Sequence, residues 1–419
     1  MRYIYSFGIK CYAIGVRLAS LFNPKARQML TGWKRTFSRL AVAPVGKGKT
    51  AWFHASSLGE FEQARPVLEE FRKRHPEYRI CVTFFSPSGF EVRKNYPNAD
   101  FVCYLPMDTR SNAIRFVNLL RPSVAFFAKY DFWFNYLEQL RSRNVPTYIF
   151  SSIFRPNQYF FKWYGEWFLQ QLGNCFTHIF VQNEESLELL QSHGLEHVSI
   201  AGDTRFDRVH TIALEAQHND KVEQFLSWHP DNAVLLAGSS WEPDETHLLH
   251  YLQHRGERLS LIIAPHVISD HHLDWIEKDL LKGIPCVRYT RMNEADTQAR
   301  VLIIDNMGML SSLYRYADVA YIGGGFGVGI HNILEAVTFG KPVVFGPNYH
   351  KFKEAVDIIA QQGGSSFDTY PQLETYLDNL FDNTEAYSKA SERCITYMNN
   401  HLGATEQILA VTEKDLPKY

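Results

Sequence analysis

YIGGGFGVGIHNILEAVTFGKPVVFGP, residues 321–347, is the stretch on which the fold turns. An apolar strand, Val319 to Ile322, runs into Gly323, Gly324 and Gly325, and the pattern predicts a helix opening near His331 or Asn332. Glycines carry no Cβ, so backbone N–H groups can approach phosphate oxygens, and a helix N-terminus adds partial positive charge. Glu335, one turn beyond His331, can accept hydrogen bonds from ribose hydroxyls. Gly340, Pro342, Gly346 and Pro347 punctuate the next strand and set a second loop near the same pocket. A bare GGG serves chain reversal, but the added HNxLE and GxPVxxGP point to a nucleotide phosphate. The spacing departs from the GxGxxG fingerprint, which disfavours an NAD enzyme.

Outward from this segment, apolar runs alternate with amphipathic stretches. AWFHAS (51–56), RICVTFF (79–85), FVCYLP (101–106), SVAFFAK (123–129), PTYIFSS (146–152), THIFVQ (177–182) and HVSIAG (197–202) form a first series. NAVLLAGSS (232–240), RLSLIIAPH (258–266), PCVRYT (285–290), VLIID (301–305), VAYIGGG (319–325) and PVVFGP (342–347) form a second. Such alternation is the mark of βαβ units and parallel sheets. It predicts an α/β chain with two Rossmann-like domains facing a central cleft, at residues 50–205 and 232–370. A polar, helical linker is expected over 206–231 and a helical tail over 371–419. Ligands of such sheets bind at the carboxyl ends of strands.

The chain has 419 residues, 45% hydrophobic and 21% charged, which fits an ordinary folded protein. The six cysteines form no CxxC pair, against a disulfide framework or structural zinc. The net charge of −2 conceals an asymmetry. Ten of the 43 Lys and Arg lie in residues 1–50, whereas none of the 45 Asp and Glu precedes Glu60. A basic segment at 1–49 ahead of an acidic body points to an anionic surface, such as phospholipid head groups. Ile4, Phe7, Cys11, Ile14, Leu18 and Leu21 recur at helical spacing, which predicts an amphipathic helix lying on a membrane. Charges interrupt the apolar runs too often for a confident span. YFFKWYGEWF (Tyr159 to Phe168) packs seven aromatics into ten residues, as a buried helix or as a groove or interfacial surface for acyl chains.

HASSLGEFEQARPVLE, HIFVQNEES, AGDTRFDRV, VLLAGSSWEPDE and IIAPH, in this order, resemble successive motifs of the 3-deoxy-D-manno-octulosonic acid (Kdo) transferase family of lipopolysaccharide synthesis. The resemblance runs over nearly the whole chain and implies a GT-B glycosyltransferase. It implies inverting transfer of Kdo from CMP-Kdo to a lipid A precursor (lipid IVA) at the cytoplasmic face of the bacterial inner membrane. Transfer to an alcohol needs a base for the hydroxyl proton, and Glu60 stands where the family carries it. Asp131, in AKYDFWFN, replaces the glutamate of the family's second carboxylate motif. Arg205 replaces a lysine that stabilises transition-state charge, and its two-pronged guanidinium suits a phosphate. His54, Ser56 and Ser57 are expected to position the acceptor, although either serine also suits a helix cap.

Donor contacts are expected from His266, Met307, Gly308, Met309, Gly324, Gly325, His331, Asn332 and Glu335. The family's Pro-Arg-His reads Ala264-Pro265-His266 here, so a donor-binding arginine is missing; Arg205, Arg288 and Lys351 are its candidate replacements. No D-x-D triad occurs, and a CMP donor needs less charge compensation than a nucleotide diphosphate, so no metal or other cofactor is expected. His271-His272 beside Asp270 reads as solvated surface rather than a metal site. Two rival readings stand beside this one. The first is a UDP-sugar epimerase or UDP-dependent transferase; the second is a non-catalytic, membrane-bound sugar or lipid-binding protein.

Overall fold

Runs of Val, Ile, Phe and Ala without polar alternation become parallel strands covered on both faces. In the computed structural model, which describes residues 2–416, the first series forms β1 (Thr50–Ala55), β2 (Arg79–Phe84), β3 (Phe101–Tyr104), β4 (Val124–Ala128), β5 (Thr147–Ser152), β6 (His178–Val181) and β7 (Val198–Ile200). They pair in the order β3-β2-β1-β4-β5-β6-β7, parallel throughout. The second series gives β8 (Ala233–Ser240), β9 (Leu259–Pro265), β10 (Cys286–Arg288), β11 (Val301–Ile303), β12 (Val319–Ile322) and β13 (Val343–Phe345). A seventh strand, β14 (Gly364–Ser366), completes the order β10-β11-β9-β8-β12-β13-β14. Each sheet therefore has one point where the strand order reverses direction: β1 beside β4, and β8 beside β12.

The chain divides into two units, Met1–Arg208 with Leu402–Tyr419, and Val209–His401. The segment read as a linker holds two helices, Thr204–Glu215 and Asp220–Ser227, and Val222 and Phe225 of the latter are fully buried. The C-terminal segment does not stay together. Leu373, Leu377 and Leu380 pack into the core of the second unit. The helix Ala404–Thr412 belongs to the first, where Ile408 and Leu409 join Phe61, Val67 and Phe71. Asp207 fixes that return by accepting the N–H groups of Gly403 (2.8 Å) and Thr405 (2.6 Å).

The basic N-terminal segment holds two helices, α1 (Arg2–Ala19) and α2 (Pro24–Val42), the latter capped by Asn23 and opened by a proline in its first turn. Val16 is buried, with Ile9 and Ala13 beside it against α2. The stripe Ile4, Phe7, Ile14, Leu18 and Leu21 stays exposed, and Phe22 is 89% exposed. No described helix is long and apolar enough to cross a membrane.

Candidate functional site

Parallel α/β sheets bind ligands beyond the carboxyl ends of the two strands at the reversal point. In the first unit the loop after β1 leads into α3 (Leu58–Arg74). Ser57 caps that helix, and Glu60 returns the bond: its Oε2 accepts the Ser57 N–H (2.8 Å) and hydroxyl (3.0 Å). Glu60 Oε1 has no hydrogen bond among the described residues, so one carboxylate oxygen is held and the other is open.

After β4 the chain takes a left-handed conformation at Lys129 (φ +66°), two residues before Asp131. The buried Asp131 carboxylate reaches across the reversal point and accepts the Ser56 N–H (2.9 Å) and the Ser56 hydroxyl. Burial first, and then the charge of Glu60, push its carboxyl well above the ordinary range. The structure thus gathers Ser56, Ser57, Glu60 and Asp131 as expected, but not in the expected roles, because both serines spend their side chains on carboxylates. His54 departs further. Alternation along β1 sends it to the same face as the buried Trp52, and its side chain is wholly buried between the Phe127 and Trp133 rings. It touches no acceptor there, and burial drags its imidazole down to about 3.

Arg205 lies in the first turn of Thr204–Glu215. Its Nε donates to Asp203 Oδ2 at 2.8 Å, and its backbone N–H donates to Oδ1 at 2.9 Å. Asp203, which the sequence reading did not single out, also accepts from Gln63 of α3 (3.1 Å). The helix that presents Glu60 therefore also braces the arginine's anchor.

In the second unit Ser239 turns left-handed (φ +53°) at the end of β8, opposite the three glycines after β12. Each glycine is required. A Cβ on Gly323 would lie 2.2 Å from the Ser239 carbonyl oxygen, one on Gly325 would lie 2.5 Å from the Gly346 nitrogen, and Gly324 sits at φ +92°. Asp244 holds the loop. Its carboxylate accepts the N–H groups of Gly324 (2.9 Å) and Trp241 (3.0 Å) and the Tyr321 hydroxyl (2.9 Å). Burial raises its pKa against those three donors. The long helix expected at His331 is absent. Gly340 (φ +69°) and Pro342 end the segment, leaving a single turn, Leu334–Val337. The phosphate argument therefore rests on the loop rather than on a helix dipole, and the N–H groups of Phe326 and Val328 make no hydrogen bond among the described residues.

Around the loop the rings of Trp241, His266 and His331 stack in turn, with centroids 4.6 and 4.5 Å apart. Glu335 accepts from Ser311 (2.6 Å) and Asn332 (3.2 Å), which ties the short helix Leu310–Leu313, just after Met307–Met309, to the glycine segment. Met307 is exposed, and Gly308 gives that turn its positive φ. Trp241 and Asp244 were legible only as part of SSWEPDE; an acid three residues into a helix is the capping signal that could have marked Asp244.

Other expectations are revised. Arg288 is buried in ion pairs with Asp274 and Glu277, so it cannot replace the missing arginine at Pro265, whereas Lys351 is exposed. His272 is no surface residue: it is buried against Glu245 (3.1 Å), whose carboxylate also accepts from Ser240 (2.8 Å). One potential metal-ligand trio exists among the described residues, His254, Glu374 and Asp378, which the sequence spacing hid. Its histidine turns different ring nitrogens toward the two carboxylates, and Arg255 already neutralises Asp378. Tyr159–Phe168 is not one helix; Phe160 is buried while Trp163 is 89% exposed. A groove of about 680 Å³ beside α2 is lined by Arg27, Arg35, Arg39 and Lys94.

Residues 31–208 match the family model described as 3-Deoxy-D-manno-octulosonic-acid transferase (kdotransferase). A 3-deoxy-D-manno-octulosonic acid transferase of Haemophilus influenzae is 25% identical over 94% of this chain and 93% of its own. Over most of its length the chain is thus similar to Kdo transferases. A 3-deoxy-D-manno-octulosonic acid transferase from Aquifex aeolicus is 25% identical over 78% of this chain and 85% of its own. Among solved structures, the crystal structure of UDP-GlcNAc 2-epimerase from Neisseria meningitidis bound to UDP-GlcNAc shares the fold. It shows 17% identity and a TM-score of 0.61 over 87% of this chain and all of that one. At that identity the likeness concerns architecture alone.

Proposed function

We propose that this chain is an inverting glycosyltransferase that moves Kdo from CMP-Kdo to a lipid A precursor (lipid IVA) at the cytoplasmic face of the bacterial inner membrane. The observation that carries the reading is the divided Glu60 carboxylate, with Oε2 fixed in the cap of α3 and Oε1 open. The acceptor hydroxyl gives its proton to Oε1 as its oxygen attacks the anomeric carbon, and the bond to the CMP phosphate breaks on the opposite face. The glycine loop and Arg205 stabilise the charge on departing CMP, and the Trp241, His266 and His331 stack receives the donor. The reaction needs no metal or other cofactor. Similarity to Kdo transferases over most of the chain supports the sugar. The exposed apolar stripe of α1, the exposed Trp163 and the basic groove beside α2 support contact with an anionic bilayer.

Mass spectrometry of products from CMP-Kdo and lipid IVA in anionic vesicles tests this directly. Wild-type protein should add Kdo, faster than in neutral vesicles, and Glu60→Gln should lose about a hundredfold or more in rate. Unchanged transfer by that variant would remove Glu60 from the role of base, and turnover of a UDP-sugar in place of CMP-Kdo would move the chain to another donor class.

A further inference from the structure

His54 lost its expected contact with the acceptor, and its hydrogen bonds assign it another task. Nδ1 lies 3.1 Å from the Thr83 carbonyl oxygen and 2.8 Å from the Thr83 hydroxyl, which also receives the Trp52 indole N–H (2.8 Å). The Thr83 hydroxyl has its own acceptor in the Phe53 carbonyl (3.4 Å), and the Thr83 carbonyl can only accept; the hydrogen is therefore assigned to Nδ1, which leaves a lone pair at Nε2. Nε2 is buried and makes no hydrogen bond among the described residues. The group facing it is Asp131 Oδ2, 3.6 Å away. That oxygen accepts the Ser56 N–H, and Oδ1 accepts the Ser56 hydroxyl. Two lone pairs thus confront each other where aromatic rings shut out water, an arrangement that one proton between them relieves.

We propose that His54 and Asp131 hold one proton in common, so that the buried pair is uncharged and Glu60 alone carries negative charge at the first reversal point. The neutral pairing of carboxylic acid and imidazole is the form a dry site favours, because a carboxylate beside an imidazolium must desolvate two ions. Glu60, on α3, is the titratable group set against the pair, and a second carboxylate charge there would repel it. The Trp133 side chain, on the segment after β4, is the other polar group set against Asp131, and it favours the charged form less than burial opposes it. His54 is then a positioning residue: it fixes the proton on Asp131, Asp131 holds Ser56, and Ser57 holds Glu60. The shared proton stays in place during transfer, while the acceptor's proton goes to Glu60.

This inference rests on Glu60 being the base, and the full-length protein tests the two separately. Asp131→Asn keeps Oδ1 as acceptor for the Ser56 hydroxyl and offers His54 Nε2 a permanent donor in place of Oδ2, at the loss of the acceptor for the Ser56 N–H. It should retain transfer to lipid IVA within about tenfold, with the acid limb of the kcat/KM profile unmoved, whereas Asp131→Ala should lose about a hundredfold. If Asp131→Asn falls as far as Asp131→Ala while unfolding at the wild-type temperature, a charged carboxylate is required and the proposal is overturned. Side-chain ¹⁵N NMR gives a readout independent of activity. His54 should show the neutral, Nδ1-protonated ring across the neutral pH range, and an imidazolium signal would refute the shared proton. A fully active Glu60→Gln would instead sink the base assignment and leave the NMR result standing.

Discussion

The two reversal points share a plan and differ in chemistry. At each, a buried aspartate after one central strand accepts a backbone N–H from the loop after the other: Asp131 takes Ser56, and Asp244 takes Gly324. Burial raises both carboxyl groups. Asp244, however, receives three donors, from Gly324, Trp241 and Tyr321, and needs nothing more. Asp131 receives both donors of Ser56, with the Trp133 indole beside it, and faces the Glu60 charge and His54. The same stitch across a sheet is therefore a clamp in one unit and an electrostatically tuned neighbour of the base in the other. One strand end offers side-chain acid, the other bare backbone.

The hardest way to break this pairing is Gly323→Val, which drives a Cβ to 2.2 Å from the Ser239 carbonyl oxygen. Calorimetry with CMP should show binding abolished, while His54 and Asp131 keep their NMR signatures. Next comes the same substitution made twice. Asp244→Asn turns an amide N–H toward donors and should cost about 2–3 kcal/mol in urea unfolding of its unit. Asp131→Asn should cost less, about 1 kcal/mol, because His54 accepts the new donor and offsets the lost acceptor of the Ser56 N–H. Equal losses would dissolve the distinction between clamp and neighbour.

A pH series sharpens the point. Asp131 keeps in the native state a proton that the unfolded chain releases, so its contribution to stability is complete below the ordinary carboxylate value and declines as pH rises above it. Asp131→Asn should flatten that decline in the urea midpoint. The smallest effect is expected for Trp241→Ala, which removes one member of the ring stack and should weaken CMP binding by about three- to tenfold in the same calorimetry.

The strands were legible because parallel sheets demand uninterrupted apolar runs, which stand out against amphipathic helices. β14 escaped notice because Gly-Ser-Ser carries no such signal. The capping box at Ser57 and Glu60 was visible as spacing, and the glycines as composition. His54 misled because a strand buried on both faces gives no hint of which way a polar residue points. Asp203, Asp244 and the His272–Glu245 pair depend on contacts between distant segments, which local pattern does not encode. The turn at Leu334–Val337 looked longer because HNILEAVTF has helical composition, whereas Gly340 and Pro342 leave it little length.

The return of Ala404–Thr412 to the first unit has a consequence for synthesis. The core around α3 needs Ile408 and Leu409, which leave the ribosome only after the whole second unit has been made. The acid-bearing half is begun first and completed last, so a chain cut after His401 would keep its nucleotide loop intact and lose the support of the helix that presents Glu60.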